Sequence, residues 1–153
     1  MAILNIVKKA DNEEFLRKKS REVTEITPRI LTLLDDMIET MRAANGCGLA
    51  AVQVGVLRRV VVIETDDGLF ELINPKIISY AGEQEGDEGC LSLPGEWAVT
   101  KRPMHVTVRA YNRKGDLVEI TGHGLLAKAM CHEIDHLDGI LYVDKALPKE
   151  ESK

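Results

Sequence analysis

No stretch of this sequence is apolar for long enough to span a membrane. The opening Met1-Ala2-Ile3-Leu4-Asn5-Ile6-Val7-Lys8-Lys9 lacks the long apolar run of a secretory leader, so a soluble, cytoplasmic protein is expected. Cysteine is sparse: three thiols, an odd number without a secretory segment, argue for reduced side chains rather than a disulfide framework. Nor does one charge dominate. The 20 Lys and Arg are interspersed with 25 Asp and Glu for a net charge of −5, which gives no warrant for a nucleic-acid or membrane surface. Internal repeats and low-complexity segments are missing too, and 153 residues suit one domain, 1-153, with one sizeable core.

What is present concentrates toward the C-terminus, in Cys131-His132-Glu133-Ile134-Asp135-His136-Leu137-Asp138-Gly139. Helical residues four apart share a face, so His132 and His136 offer two ring nitrogens to one divalent metal ion. Glu133 beside them supplies the carboxylate that takes a proton from metal-activated water. Because so short a pattern also arises by chance, the useful question is where a third ligand lies. The long metzincin pattern wants a histidine at position 142, which is Tyr142, and a downstream glutamate has only Glu150 and Glu151 to come from. The third ligand should therefore lie upstream, among Cys90, Cys47, Cys131, His105, His123 and several carboxylates. Cys131 falls about 100° round the helix from His132 and is assigned to packing. Cys90 is the better candidate because it sits in a compact, glycine-flexed segment, Glu88-Gly89-Cys90-Leu91-Ser92-Leu93-Pro94. A backbone N–H just after such a ligand is well placed to point at a substrate oxygen.

Three segments occur in order: Gly46-Cys47-Gly48-Leu49-Ala50-Ala51-Val52-Gln53, Glu88-Gly89-Cys90-Leu91-Ser92, and His132 to Gly139. With Phe15-Leu16-Arg17-Lys18-Lys19-Ser20 they resemble the peptide deformylases over most of the chain. The resemblance implies a hydrolase that removes the formyl group from N-formyl-methionyl nascent polypeptides and releases formate. It also implies that Cys90, His132 and His136 hold one ion, that Glu133 carries the proton, and that Gln53 and the Leu91 N–H steady the oxyanion. Gly46, Gly48, Leu49, Gly89, Leu125, Lys128 and Ala129 would then border the substrate. Fe²⁺ is the ion the resemblance favours, whereas a thiolate and two imidazoles alone suit Zn²⁺, and Ni²⁺ or Co²⁺ are further occupants.

Departures from the family pattern are few. Val52 replaces an expected proline, Cys47 an expected branched aliphatic residue, and Lys128 is unexpected on the wall of a methionine pocket. Lys128 either snorkels outward with its stem over the pocket or changes which first residue is accepted. The tail Leu147-Pro148-Lys149-Glu150-Glu151-Ser152-Lys153 is short and acidic, so ribosome contact is expected to be weak, and the chain a monomer. Two other readings stay open: an HExxH metallopeptidase, and a closed structural metal site, which needs a fourth protein ligand.

Along the chain, Ile3 to Val7 is a short apolar piece and Glu13 to Ser20 a charged helical turn or two. Thr27-Pro28 opens a helix whose apolar residues Ile30, Leu31, Leu34, Met37, Ile38 and Met41 recur at helical spacing and which ends near Asn45-Gly46. By itself, Gly46 to Gln53 reads as a helix cap and tight turn. Strands are expected at Val60 to Ile63 and Leu69 to Ile73, then, after a break at Asn74-Pro75, at Lys76 to Ala81, followed by a turn at Glu83 to Gly86. Pro103 to Tyr111 and Leu117 to Thr121 flank a hairpin turn, Asn112-Arg113-Lys114-Gly115-Asp116. His105 is read as an exposed or partly packed strand residue, His123 as flanking a helix start, Trp97 as packing near the site's rim, and Gly139 as the stop of the metal helix. Glu88, Asp135 and Arg102 are candidates for a network that orients the ligands. The order of elements suggests α+β: mostly antiparallel sheet packed around a C-terminal metal-binding helix, with an N-terminal helix.

Overall fold

The structure, a computed structural model, describes residues 2–148. Met1 and residues 149–153, including Glu150, Glu151 and most of the acidic tail, lie outside the described residues.

The fold is α+β and its sheets are antiparallel throughout. Strands β1 (Gly48–Ala50), β2 (Val60–Thr65), β3 (Gly68–Ala81), β6 (His105–Tyr111) and β7 (Leu117–His123) form a five-stranded sheet in the order β1-β2-β3-β6-β7. A separate two-stranded sheet pairs β4 (Gln84–Cys90) with β5 (Leu93–Arg102). Among the described residues, helices α1 (Lys9–Leu16), α2 (Pro28–Ala43) and α3 (Leu125–Leu137) complete the architecture, and none is long and apolar enough to cross a membrane.

Strand β2 shows why its sequence is apolar at four consecutive positions. Val61 and Ile63 pack toward Leu126, Ala127, Met130 and Ile134 of α3, while Val60 and Val62 pack toward Leu34, Met37 and Met41 of α2. With a helix on each face, the usual alternation of apolar and polar residues is lost. Each such fully buried side chain stabilises the fold by roughly 1.5–3 kcal/mol.

Helix α2 begins as the sequence predicts, with Thr27 Oγ1 accepting from the Ile30 N–H at 3.3 Å and Pro28 at the first helical position. Beyond its end Asn45 takes the left-handed conformation, φ +57°. Gly139 does the same after α3, φ +76°, as expected of a helix stop.

The structure differs from expectation in four places. The first helix is Lys9–Leu16 rather than Glu13 to Ser20, because beyond Leu16 the chain turns to dock on the end of α3, with Ser20 N–H donating to Leu137 C=O at 2.8 Å. Strand β3 is not interrupted at Asn74-Pro75 but bulges there. Asn74 accepts φ +53° because its side chain holds the Val23 N–H and C=O, both at 2.8 Å. The expected turn at Glu83 to Gly86 lies largely inside β4, and β5 was not anticipated at all. The inward face of this ribbon buries polar residues, Glu88, Thr100 and Arg102, so no apolar alternation marks it. His123 closes β7 and, as expected, flanks a helix start, since Gly124 caps α3 at Leu125.

Candidate metal centre and substrate pocket

Helix α3 is buried almost all round, yet three of its buried residues are polar: His132, Glu133 and His136, at 7%, 4% and 1% exposure. Buried polar groups need partners, and a core helix without a task for them would carry aliphatic residues there. Cys90 reaches the same point from the tip of the β4–β5 ribbon. Its Sγ lies 3.3 Å from His136 Nε2, which lies 3.3 Å from His132 Nε2. One ligand atom from each of Cys90, His132 and His136 falls within 4.8 Å of the others. A tetrahedral ion with ligand bonds of about 2.0–2.3 Å spans such separations. The donor set therefore fits one divalent transition-metal ion.

Among the described residues this is the one group of three ligand-type side chains at such spacing. Cys47, Cys131, His105 and His123 are not part of it, nor is a fourth protein ligand. Cys131 packs in the apolar cluster under the sheet, as expected. Tyr142, where one pattern wanted a histidine, lies against the site by another route: its ring stacks on His132, centroids 5.9 Å apart, and its hydroxyl donates to Glu96 C=O at 3.0 Å.

The three residues nominated as an orienting network do meet. Glu88 Oε1 is 2.7 Å from His132 Nδ1, which fixes the ring with its Nε2 lone pair toward the cluster. Arg102 grips the same carboxylate through Nε and Nη2, both at 2.8 Å, and reaches Asp135 through Nη1 at 2.8 Å. Burial works to raise the Glu88 pKa, but hydrogen bonds from Arg102, His132 and Thr100 prevail and hold it well below the usual carboxylate range. Thr100 was not legible beforehand, since its strand was missed. Glu133 has no such support. Burial pushes its pKa up to about 7, and its Oε1 finds no hydrogen-bond partner among the described residues. Its Oε2 lies 3.9 Å from His132 Nε2, and at Gly48 a Cβ would sit 2.6 Å from that oxygen. Only glycine leaves room for the carboxylate here.

Gln53 is buried by the 3₁₀ turn Ala51–Val54. Its Oε1 accepts from the Ala50 N–H at 2.9 Å, and its Nε2 points at Ser92 Oγ, 3.1 Å, and Cys90 Sγ, 3.5 Å. Ser92 is a second residue that sequence reasoning passed over; only its place in the motif marked it.

A cavity of about 420 Å³ opens over this cluster, lined in part by Gly46, Gly48, Gln53, Gly89, Leu91, Leu125, Lys128, Ala129 and Glu133. Lys128 takes the snorkelling option, its Nζ donating to Asp87 C=O at 3.0 Å. Leu49 is a correction: its side chain is fully buried against α2 and does not line the cavity, so only its backbone is left to face a ligand. Trp97 stands at the rim as expected, 72% exposed, with its ring lying over Gly89, where a Cβ would come within 2.8 Å of it.

A cysteine sulfur and two imidazoles beside a buried acid, with space above them, belong to a hydrolase that works through a bound metal ion. The comparisons with known proteins narrow this further. The polypeptide deformylase family model matches residues 3–152. A peptide deformylase of Acetivibrio thermocellus is 61% identical over 137 residues, covering 90% of this chain and 81% of the relative. One from Caldanaerobacter subterraneus is 56% identical over 154 residues, covering 99% and 96%. The crystal structure of a Legionella pneumophila peptide deformylase superposes with a TM-score of 0.90 at 42% identity, covering 98% of this chain and 89% of that one. The chain belongs to the polypeptide deformylase family.

Proposed function

We propose that this chain removes the formyl group from the N-formyl-methionyl ends of nascent polypeptides, acting as one catalytic domain, 1-153, in the cytoplasm. The observation that carries the reading is the convergence of Cys90, His132 and His136 beside an unpartnered, buried Glu133 at the floor of an open cavity. Cys90 as thiolate, with both imidazoles neutral, would hold the ion. When bound, the ion supplies a Lewis acid that makes water nucleophilic near neutral pH.

The chain's own groups perform the remaining steps. Glu133, whose pKa burial pushes up to about 7, accepts the water's proton as that oxygen attacks the formyl carbon, and passes it to the departing amine. Formate leaves with the attacking oxygen, and the peptide regains a free N-terminus. Gln53 Nε2 and the Leu91 N–H donate to the oxyanion of the tetrahedral intermediate, each worth roughly 3 kcal/mol in sites of this kind. Gly46, Gly48, Gly89, Leu125, Lys128 and Ala129 enclose the first residue, with the backbone of Leu49 behind. The working metal is Fe²⁺ by family resemblance. Loss of activity in air, reversed by anaerobic iron, would support iron over Zn²⁺, Ni²⁺ or Co²⁺.

The metallopeptidase alternative is not favoured, given the family and a third ligand that lies upstream. Ribosome contact is taken to be weak and the chain monomeric. The deciding assay is formate release from a formyl-Met peptide, with and without chelator, in the wild type and in Glu133→Ala. Abolished turnover with the metal still bound is expected in the variant; near-normal turnover would end the assignment.

A further inference from the structure

Outside the cavity, ligand-type side chains meet at another place. His105 on β6 and His123 on β7 are register partners. One pair further out, the Gly124 N–H donates to Met104 C=O at 2.9 Å, so 105/123 is the closer, non-hydrogen-bonded position of the ladder. The two rings accordingly touch: Nδ1 to Nδ1 is 2.6 Å and the centroids are 4.8 Å apart at 75°. Both residues are exposed.

As they stand, the two rings share one hydrogen bond, one Nδ1 donating to the other. Neither ring has another side-chain hydrogen bond or an ion pair among the described residues, and two protonated imidazoles facing each other across a ladder repel. What the geometry offers is two ring nitrogens 2.6 Å apart, which need only part to about 3 Å for both to bind one ion at about 2.0–2.1 Å. The flanks are already held. Gln84 Nε2 donates to Pro103 C=O at 3.0 Å and to Gly124 C=O at 2.8 Å, tying the chain beside each histidine to one amide. On the other side Thr107 and Thr121 join through their hydroxyls at 2.8 Å. With the backbone fixed on both sides, little freedom is left to lose when a ligand bridges the rings.

We propose that His105 and His123 form a second metal site, a surface chelate that takes one divalent transition-metal ion such as Ni²⁺ or Zn²⁺ through both Nδ1 atoms, water filling the remaining positions. Ligation requires both rings neutral with the proton on Nε2. The ion would bind β7 to β6 one residue before Gly124, and α3 starts at Leu125. It would thereby brace the entry of the helix that carries His132 and His136 without touching either.

The test uses untagged nickel-loaded protein dialysed against a small excess of free Ni²⁺, with nickel per chain counted by atomic emission and the thermal midpoint followed by circular dichroism. Wild type is expected to hold one nickel more than His105→Ala or His123→Ala, and its midpoint to rise by a few degrees with free nickel where theirs does not. Deformylase activity of the variants should match the wild type at one nickel per chain. The readout is the difference between wild type and variant, so it stands whether or not the cavity holds an ion. A double variant, His105→Thr with His123→Thr, copies the neighbouring threonine pair and keeps the ladder should alanine loosen it; it too must lose the extra ion. Equal nickel content in wild type and the double variant overturns the proposal.

Discussion

At the scale of single residues, the chain Arg102–Glu88–His132 holds the site in register. Glu88 serves as the acceptor that fixes a ligand ring, so its neutral amide should weaken the grip on metal. Glu88→Gln is expected to lower metal affinity by roughly 10–100-fold, read by competition with a chromogenic chelator. The same carboxylate gives a pH signature. Its pKa is depressed in the fold, so its stabilisation is present above the ordinary value of 4.5 and is lost as the pH falls below it. The stability gap between metal-free wild type and Glu88→Gln, from urea unfolding, should be widest between about pH 5 and 6.5, close on acidification, and narrow at higher pH as His132, whose pKa its charged partners raise against burial, loses its proton. Lys128 makes a different claim. With its ammonium on Asp87 C=O and only its stem along the cavity, it leaves an apolar wall for the first side chain. Preference for formyl-Met over formyl-Leu and formyl-acidic peptides should survive in Lys128→Met, with kcat/KM ratios changed by less than about tenfold.

At the scale of elements, the end of α3 is locked against the end of α1. Gly139 has φ +76°, and a Cβ there would lie 2.2 Å from the Arg17 carbonyl oxygen. Gly139→Ala must therefore both strain its own backbone and push the two helix ends apart. It should cost roughly 2–4 kcal/mol by thermal unfolding, with His136 only three residues upstream. What was legible in the sequence at this scale follows from burial. Helix α2 announced itself through Thr27-Pro28 and a one-sided apolar face, and β2 through its unbroken valines. The β4–β5 ribbon did not, because residues such as Glu85 and Lys101 face solvent and its glycines look like turns. Asn74-Pro75 looked like a break because the bond that saves the strand runs to Val23, 51 residues away. The site was more legible than the ribbon that carries part of it, since three short motifs name their own chemistry. Thr100, Ser92 and Tyr142 stayed hidden because their roles exist only once the chain has folded around them.

At the scale of the molecule, the ligands join two sheets that share no strand pairing. An ion held by Cys90 and by α3 links the ribbon to the five-stranded sheet, and its binding free energy adds to that of folding. Removing it with a chelator should lower the thermal midpoint by roughly 5–10 °C relative to protein with metal at a hundredfold its dissociation constant, and restoring it should reverse the change.

The two imidazoles ride on one stiff helix, while the sulfur comes from the tip of a thin ribbon. An occupant of larger radius would therefore be met by the ribbon more than by the helix, and Leu91, next after Cys90, would travel with it. A swap of metals would thus be felt twice, at the carbonyl oxygen undergoing attack and, through Gly89 on the same ribbon, at the wall around the first residue.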